Sequence, residues 1–165
     1  MSSSAAAVGK RLIKELASYR KDPNPCLVSL APVSEDDLTH WIAVLKGVEG
    51  TPYEGGQWKI DVKIPTNYPH TAPTMRFLTP ICHPNIHMKT GEICLDVLKN
   101  AWSPVLTIST TLTTIHQLLT SPEPNSPLNV DAAAVLRSGD RVGYDSLVRL
   151  WSVMYAGRPS NFGRE

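Results

Sequence analysis

Long apolar runs are missing from this chain. No stretch of its 165 residues approaches the roughly 18 consecutive apolar side chains that a membrane-crossing helix needs, so direct membrane insertion is not expected. The segment MSSSAAAVGKRLIKELASYR likewise has no apolar core ahead of a cleavage site, and a secretory leader is not expected. Cysteine is scarce as well. Cys26, Cys82 and Cys94 are too few and too irregularly spaced for a disulfide framework, which points to a reducing compartment where a thiol stays reactive. An excess of one charge sign is also lacking. The 16 Lys and Arg against 15 Asp and Glu leave a formal +1, so no global field drives the protein toward nucleic acid, and a charged partner must be met by a local patch. No Gly/Ser linker or internal repeat divides the chain. With 42% hydrophobic residues, it is long enough for one core, and a single domain over residues 1–165 is expected, with short flexible ends at about 1–5 and 158–165.

Proline, by contrast, is plentiful: 14 residues cluster around 22–32, 65–84 and 122–127, which read as loops within that domain. Between residues 8 and 20, Val8, Leu12, Leu16 and Tyr19 recur at helical spacing, with Lys10, Lys14 and Lys21 nearly opposite, as in an amphipathic helix with a solvated basic face. CLVSLAPV and HWIAVLKG read as strands, and QWKIDVKIP alternates strictly, placing Trp58, Ile60, Val62 and Ile64 on one face. The turns between these runs make an antiparallel meander ending near TMRFL the economical arrangement.

Past residue 106 the period changes. Ile108, Leu112, Ile115 and Leu119 mark a core helix with Thr107 as N-cap, and DAAAVLRSG a shorter one. The last helix follows the N-cap Asp140 through Tyr144, Leu147, Val148, Trp151 and Met154 and stops at Gly157. The fold class is α+β. Trp41, Trp58, Trp151, Tyr68 and Phe77 are assigned to packing, and Cys26 and Cys82 to ordinary thiols.

The chemistry concentrates in HPNIHMKTGEICLDVLKNAWSP, residues 83–104, where three readings of Cys94 compete. Cys82, His83, His87 and Cys94 are four potential zinc ligands, but adjacent Cys82 and His83 do not form the close C-x-x-C type of pair that structural zinc favours. A hydrolytic Cys94–His83 pair would need a third group to orient the imidazole, and no cysteine-protease signature surrounds Cys94. The third reading gives the polar work to Asn85, whose amide N–H can face a developing oxyanion, a type of donor worth ~3 to 4 kcal/mol of barrier. A thiol without a strong base beside it then suits a thioester carrier.

His83-Pro84-Asn85, then Gly91, then Ile93-Cys94-Leu95-Asp96 and Trp102-Ser103-Pro104, resembles the active-site stretch of ubiquitin-conjugating enzymes. TPYEGG, IPTNYPHTAP and SPEPNSPLN follow that family's order, and the likeness runs from about Lys10 to Tyr155. The long form IHMKTGE, with SPLNVD and LRSGD, is most similar to the family's peroxisomal branch. The resemblance implies that family's fold: an N-terminal helix, a four-stranded antiparallel meander, an active-site loop segment and C-terminal helices. It implies that Cys94 accepts ubiquitin as a thioester from the activating enzyme and that Asn85 stabilises the oxyanion or holds the loop. Asn85→Ala is accordingly expected to slow discharge more than it lowers stability. His83 and Pro84 are implied to be structural. Asp96 is a candidate for orienting the acceptor or capping the adjacent turn. Ser126 stands where many relatives carry an aspartate that positions the attacking lysine.

By the same resemblance, Lys10, Arg11, Lys14, Pro69, His70, Trp102, Ser103 and Pro104 are the contact surface for the activating enzyme and ligase, with His70 where several members have phenylalanine. No cofactor or metal is implied, ATP being used upstream by the activating enzyme. The implied partners are ubiquitin, the activating enzyme, RING-type peroxisomal ligases, a membrane-anchored peroxin tether and, as substrate, the peroxisomal import receptor. The implied location is cytoplasmic, recruited to the cytosolic face of the peroxisomal membrane. The competing expectations are a conjugating enzyme for another ubiquitin-like modifier and a ubiquitin-binding module without turnover.

Overall fold

The strict alternation of QWKIDVK makes it the organising strand of the sheet. A computed structural model describes residues 3–158; residues 1–2 and 159–165, which hold most of the ends expected to be flexible, lie outside it. The chain runs α1 (Ser3–Lys21), β1 (Leu27–Ser34), β2 (Asp37–Lys46), β3 (Gln57–Lys63) and β4 (Thr74–Phe77), then a 3-10 turn (Asp96–Leu98), α2 (Ile108–Leu118), α3 (Val130–Arg137) and α4 (Arg141–Tyr155). The four strands lie in sequence order and every pairing is antiparallel. Trp58, Ile60 and Val62 of β3 stand opposite Leu45, Ala43 and Trp41 of β2, so the register places all six apolar side chains on one buried face.

That face is covered by Ile108, Leu112 and Ile115 of α2 and by Val8 and Leu12 of α1. The outer face carries a buried carboxylate. Asp61 is buried there because His40 lies 2.5 Å from one carboxylate oxygen, with the Arg76 guanidinium 3.8 Å from the other.

Local capping sets the starts of α2, α3 and α4. Thr107 and Thr110 form a reciprocal capping box at the start of α2, and Asp140 accepts from Gly143 N at 2.8 Å at the start of α4. α3 starts one residue before the expected DAAAVLRSG segment, because the Asn129 side chain accepts from Ala132 N and takes the N-cap role. α1 begins at Ser3, so residues 3–5 of the expected flexible end are already helical. The α4 stripe needs a correction at its end: Tyr144, Val148 and Ser152 are buried, whereas Met154 is 57% exposed. A four-residue spacing drifts around a helix of 3.6 residues per turn, and Met154 falls on the solvent side of it.

Candidate active site

β4 leads into a buried segment, Ile81 to Ile86, which ties the sheet to the C-terminal half of the chain. Burial pushes the Cys82 thiol up to about 11, so it stays protonated. His83 is fully buried. Its Nδ1 accepts from Asn85 N at 3.0 Å, which leaves the ring proton on Nε2 to be donated to Leu118 O at 2.8 Å. Both nitrogens are therefore occupied. The imidazole has no free lone pair with which to take a thiol proton, and the Cys94–His83 hydrolytic pair is not formed.

Pro84 contributes its carbonyl, which accepts from Leu128 N at 2.8 Å and Asn129 N at 3.0 Å. Asn85 is 1% exposed and clasps the same loop. Its Oδ1 accepts from Glu123 N at 2.8 Å, while Nδ2 donates to Glu123 O at 2.8 Å and Ser126 O at 3.1 Å. These bonds use both amide hydrogens. In this geometry all three side-chain hydrogen bonds of Asn85 go to the loop. His83, Pro84 and Asn85 together pin the end of α2 and the 123–129 loop to the 81–86 segment.

The lengthened segment IHMKTGE folds into a hairpin. Ile86 pairs with Ile93, His87 N donates to Glu92 O, and Gly91 N donates to His87 O. His87 Nδ1 accepts from Lys89 N at 3.2 Å and Thr90 N at 3.1 Å, so its imidazole holds the turn of this hairpin. Gly91 sits at φ +73° with Phe77 O only 1.8 Å from where a Cβ would lie, so glycine alone fits. Its carbonyl accepts from Phe77 N at 2.9 Å, docking the hairpin on β4. Among the described residues no group of three His, Cys, Asp or Glu is placed to hold a metal ion.

Cys94 emerges from this hairpin half-buried, its backbone N donating to Asn85 O at 2.8 Å. Its thiol has no hydrogen-bond partner among the described residues. Asp96 is exposed at the head of the 3-10 turn; its backbone carbonyl accepts from Lys99 N and Ala101 N, and its carboxylate provides no cap. Ser126 is exposed and reaches the site through its carbonyl.

Of the residues implied as a contact surface, Trp102 meets Pro69, and Arg11 reaches the same loop through Tyr68. Trp102 Nε1 donates to Pro69 O at 2.8 Å, and the Trp102 ring lies 6.0 Å from that of Tyr68. Arg11 donates to Leu106 O at 2.7 Å and to Glu15, and stacks over Tyr68. Arg11 is thus partly committed within the fold, while Lys10, Lys14, His70 and Pro104 are exposed or nearly so and Ser103 is half-buried. His70, Trp102, Ile93 and Leu98 line a cleft of about 580 Å³. Sequence reasoning missed Glu15 here. Its carboxylate accepts from Tyr68 OH at 2.5 Å and from Ile108 N at 2.7 Å, locking α1 to the loop and to the start of α2. Burial and this bond push the Tyr68 phenol up, so it remains a donor. The only signal in the chain was the local Arg11–Glu15 spacing; the long-range partners gave none.

The buried imidazole has a pH consequence. Burial holds the His83 pKa near 4, below the 6.5 of a free histidine, so the unfolded chain binds this proton more readily. Its stabilising contribution is complete above pH 6.5 and is lost as the pH falls toward 4, at up to ~1.4 kcal/mol per pH unit. Urea midpoints measured from pH 7 to 4.5 should fall more steeply for the wild type than for His83→Gln. Parallel curves would show that His83 is not the group responsible.

A family model described as ubiquitin-conjugating enzyme matches residues 11–152. The chain is 46% identical over 145 residues to ubiquitin-conjugating enzyme E2 pex4 of Dictyostelium discoideum, covering 88% of this chain and 97% of that protein. It is 43% identical over 150 residues to protein PEROXIN-4 of Arabidopsis thaliana, covering 88% and 93%. Among solved structures, the H. polymorpha ubiquitin-conjugating enzyme Pex4p, crystallised in complex with the soluble domain of Pex22p, superposes with a TM-score of 0.85 at 35% identity, over 90% of this chain and 97% of that one.

Proposed function

The chain belongs to the ubiquitin-conjugating enzyme family, transferases that act through a cysteine thioester, and we propose that Cys94 is the residue that carries the thioester. It is of the Pex4 type, with a peroxisomal function. The observation that carries the assignment of Cys94 is its setting. It is a half-buried thiol held by its backbone to Asn85, with both nitrogens of His83 engaged elsewhere, on a hairpin fixed to the sheet. A thiolate exchanges readily with an incoming thioester, whereas the resulting thioester, with no base poised to activate water, waits for an amine or thiol acceptor.

In this reading, ubiquitin passes from the ATP-dependent activating enzyme to Cys94 and then, with a RING-type ligase, to a protein acceptor, the peroxisomal import receptor. The activating enzyme and ligase dock on α1 through Lys10 and Lys14 and on the adjoining turns through Pro69, His70, Trp102, Ser103 and Pro104. No described helix is long and apolar enough to cross a membrane, and recruitment to the cytosolic membrane face falls to a membrane-anchored peroxin. The complex of the H. polymorpha relative with the soluble domain of Pex22p supports that recruitment. Neither cofactor nor metal takes part in the reaction at Cys94.

The test is to incubate the chain with ATP and a matched pair of activating enzyme and modifier, one pair for ubiquitin and one for each ubiquitin-like protein. A reductant-sensitive adduct with ubiquitin is expected. An adduct formed only with another modifier would overturn the assignment, and binding of ubiquitin without any adduct would reduce the chain to a binding module.

A further inference from the structure

Attack of an amine on a thioester places developing positive charge on nitrogen as the new C–N bond forms. An anion beside the attacking nitrogen favours that change. Ser126 is neutral and its carbonyl is engaged by Asn85. Three carboxylates remain near Cys94. Glu92 lines the cleft that Lys99 also lines, and Lys99 offers it a counter-charge. Asp96 stands exposed at the head of the 3-10 turn.

Glu123 differs from both because its backbone is clamped. Its N and O both bond the Asn85 side chain at 2.8 Å, and Asn85 O in turn holds Cys94 N at 2.8 Å. Two hydrogen bonds through one residue keep the backbone nitrogens of Cys94 and Glu123 within roughly 10 Å, a gap that a glutamate side chain and an incoming lysine can span. Arg137 braces the same loop from α3 by donating to Pro124 O at 3.0 Å. The Glu123 side chain itself is exposed and has no hydrogen bond or ion pair among the described residues.

We infer that the Glu123 carboxylate orients the attacking lysine, accepting an N–H of the amine as it approaches the carbonyl carbon on Cys94. The inference rests on the reading of Cys94 as the thioester carrier. The C–N bond forms and the C–S bond breaks, and Cys94 leaves as a thiolate. The ammonium proton passes through water to that thiolate, so no further reagent is consumed. A thiol acceptor develops no cationic nitrogen and draws less from the carboxylate. Glu123 therefore biases the enzyme toward amines without being needed to load it.

The experiment uses the full chain charged with ubiquitin, then chased with free lysine or free cysteine across pH 6.5 to 9. Glu123→Gln keeps the backbone clamp, and the ratio of lysine to cysteine discharge should fall about ten-fold, with partial recovery in Glu123→Asp. A purely structural role would slow both acceptors alike, and that result would overturn the inference. So would an unchanged ratio in Glu123→Gln, or the same fall appearing in Asp96→Asn instead. Failure of the wild type to form any thioester would overturn the reading of Cys94, and this inference with it.

Discussion

Cys94→Ser should leave no detectable reductant-sensitive adduct while keeping stability within about 1 kcal/mol of wild type. Both halves follow from the surroundings of the thiol. Its side chain makes no hydrogen bond among the described residues and is only half-buried, so exchanging sulfur for oxygen removes little packing. The bond that holds the residue, Cys94 N to Asn85 O at 2.8 Å, belongs to the backbone and survives. The chemistry does not survive, because a serine hydroxyl is a weak nucleophile without a general base, and His83 has neither nitrogen free to act as one. Non-reducing gels of charging reactions, with thermal melts of the same samples, read the two halves separately. Persistence of the adduct in Cys94→Ser would move the acceptor to another thiol. Cys82 is a poor substitute, buried with its thiol pushed up to about 11.

Asn85→Ala should lower stability and discharge together. The substitution removes three hydrogen bonds to the backbone of Glu123 and Ser126 and leaves a void where a nearly fully buried amide stood. Losing these part-buried bonds costs about 2 to 3 kcal/mol, or roughly 5 to 10 °C in Tm for a chain of this size. Because the same bonds position the 123–126 loop beside Cys94, discharge to lysine should slow by about ten- to a hundred-fold. Asn85→Asp should be no better, since a carboxylate would confront two carbonyl oxygens where the amide donated. The sequence alone leads to a loss of rate larger than the loss of stability, as for an oxyanion donor. The engagement of both N–H groups shifts that balance. Melting curves and single-turnover discharge on the same variants decide the matter: wild-type stability with a hundred-fold slower discharge would restore the oxyanion role.

How legible the molecule was depended on the range of the interactions concerned. Strands and helices were readable because their signals are local: alternation in β3, the 3.6-residue stripe of α2, and Thr107 and Asp140 at helix starts. Errors at boundaries also had local causes, such as Asn129 capping α3 one residue early. The likeness to the family was carried by ordered motifs, and that order alone assigned Cys94 and Asn85 to one site. The roles of neighbouring residues were less accessible. Nothing within His83-Pro84-Asn85 says that its partners are Leu118, Leu128 and Glu123, because those contacts span 35 or more residues. Glu15 was invisible as the lock between α1, Tyr68 and Ile108 for the same reason.

Composition, periodicity and motif order by themselves pointed to the α+β fold and to the residue proposed to bear the thioester. Only the tertiary structure decided what surrounds that thiol. Folding saturates both nitrogens of His83 and both amide hydrogens of Asn85, turns His87 into the brace of a lengthened hairpin, and leaves the Glu123 carboxylate exposed on a clamped backbone. The reason is physical. A side chain's chemistry is written in its residue type, whereas its free donors and acceptors are those that remain after long-range hydrogen bonds have claimed the rest.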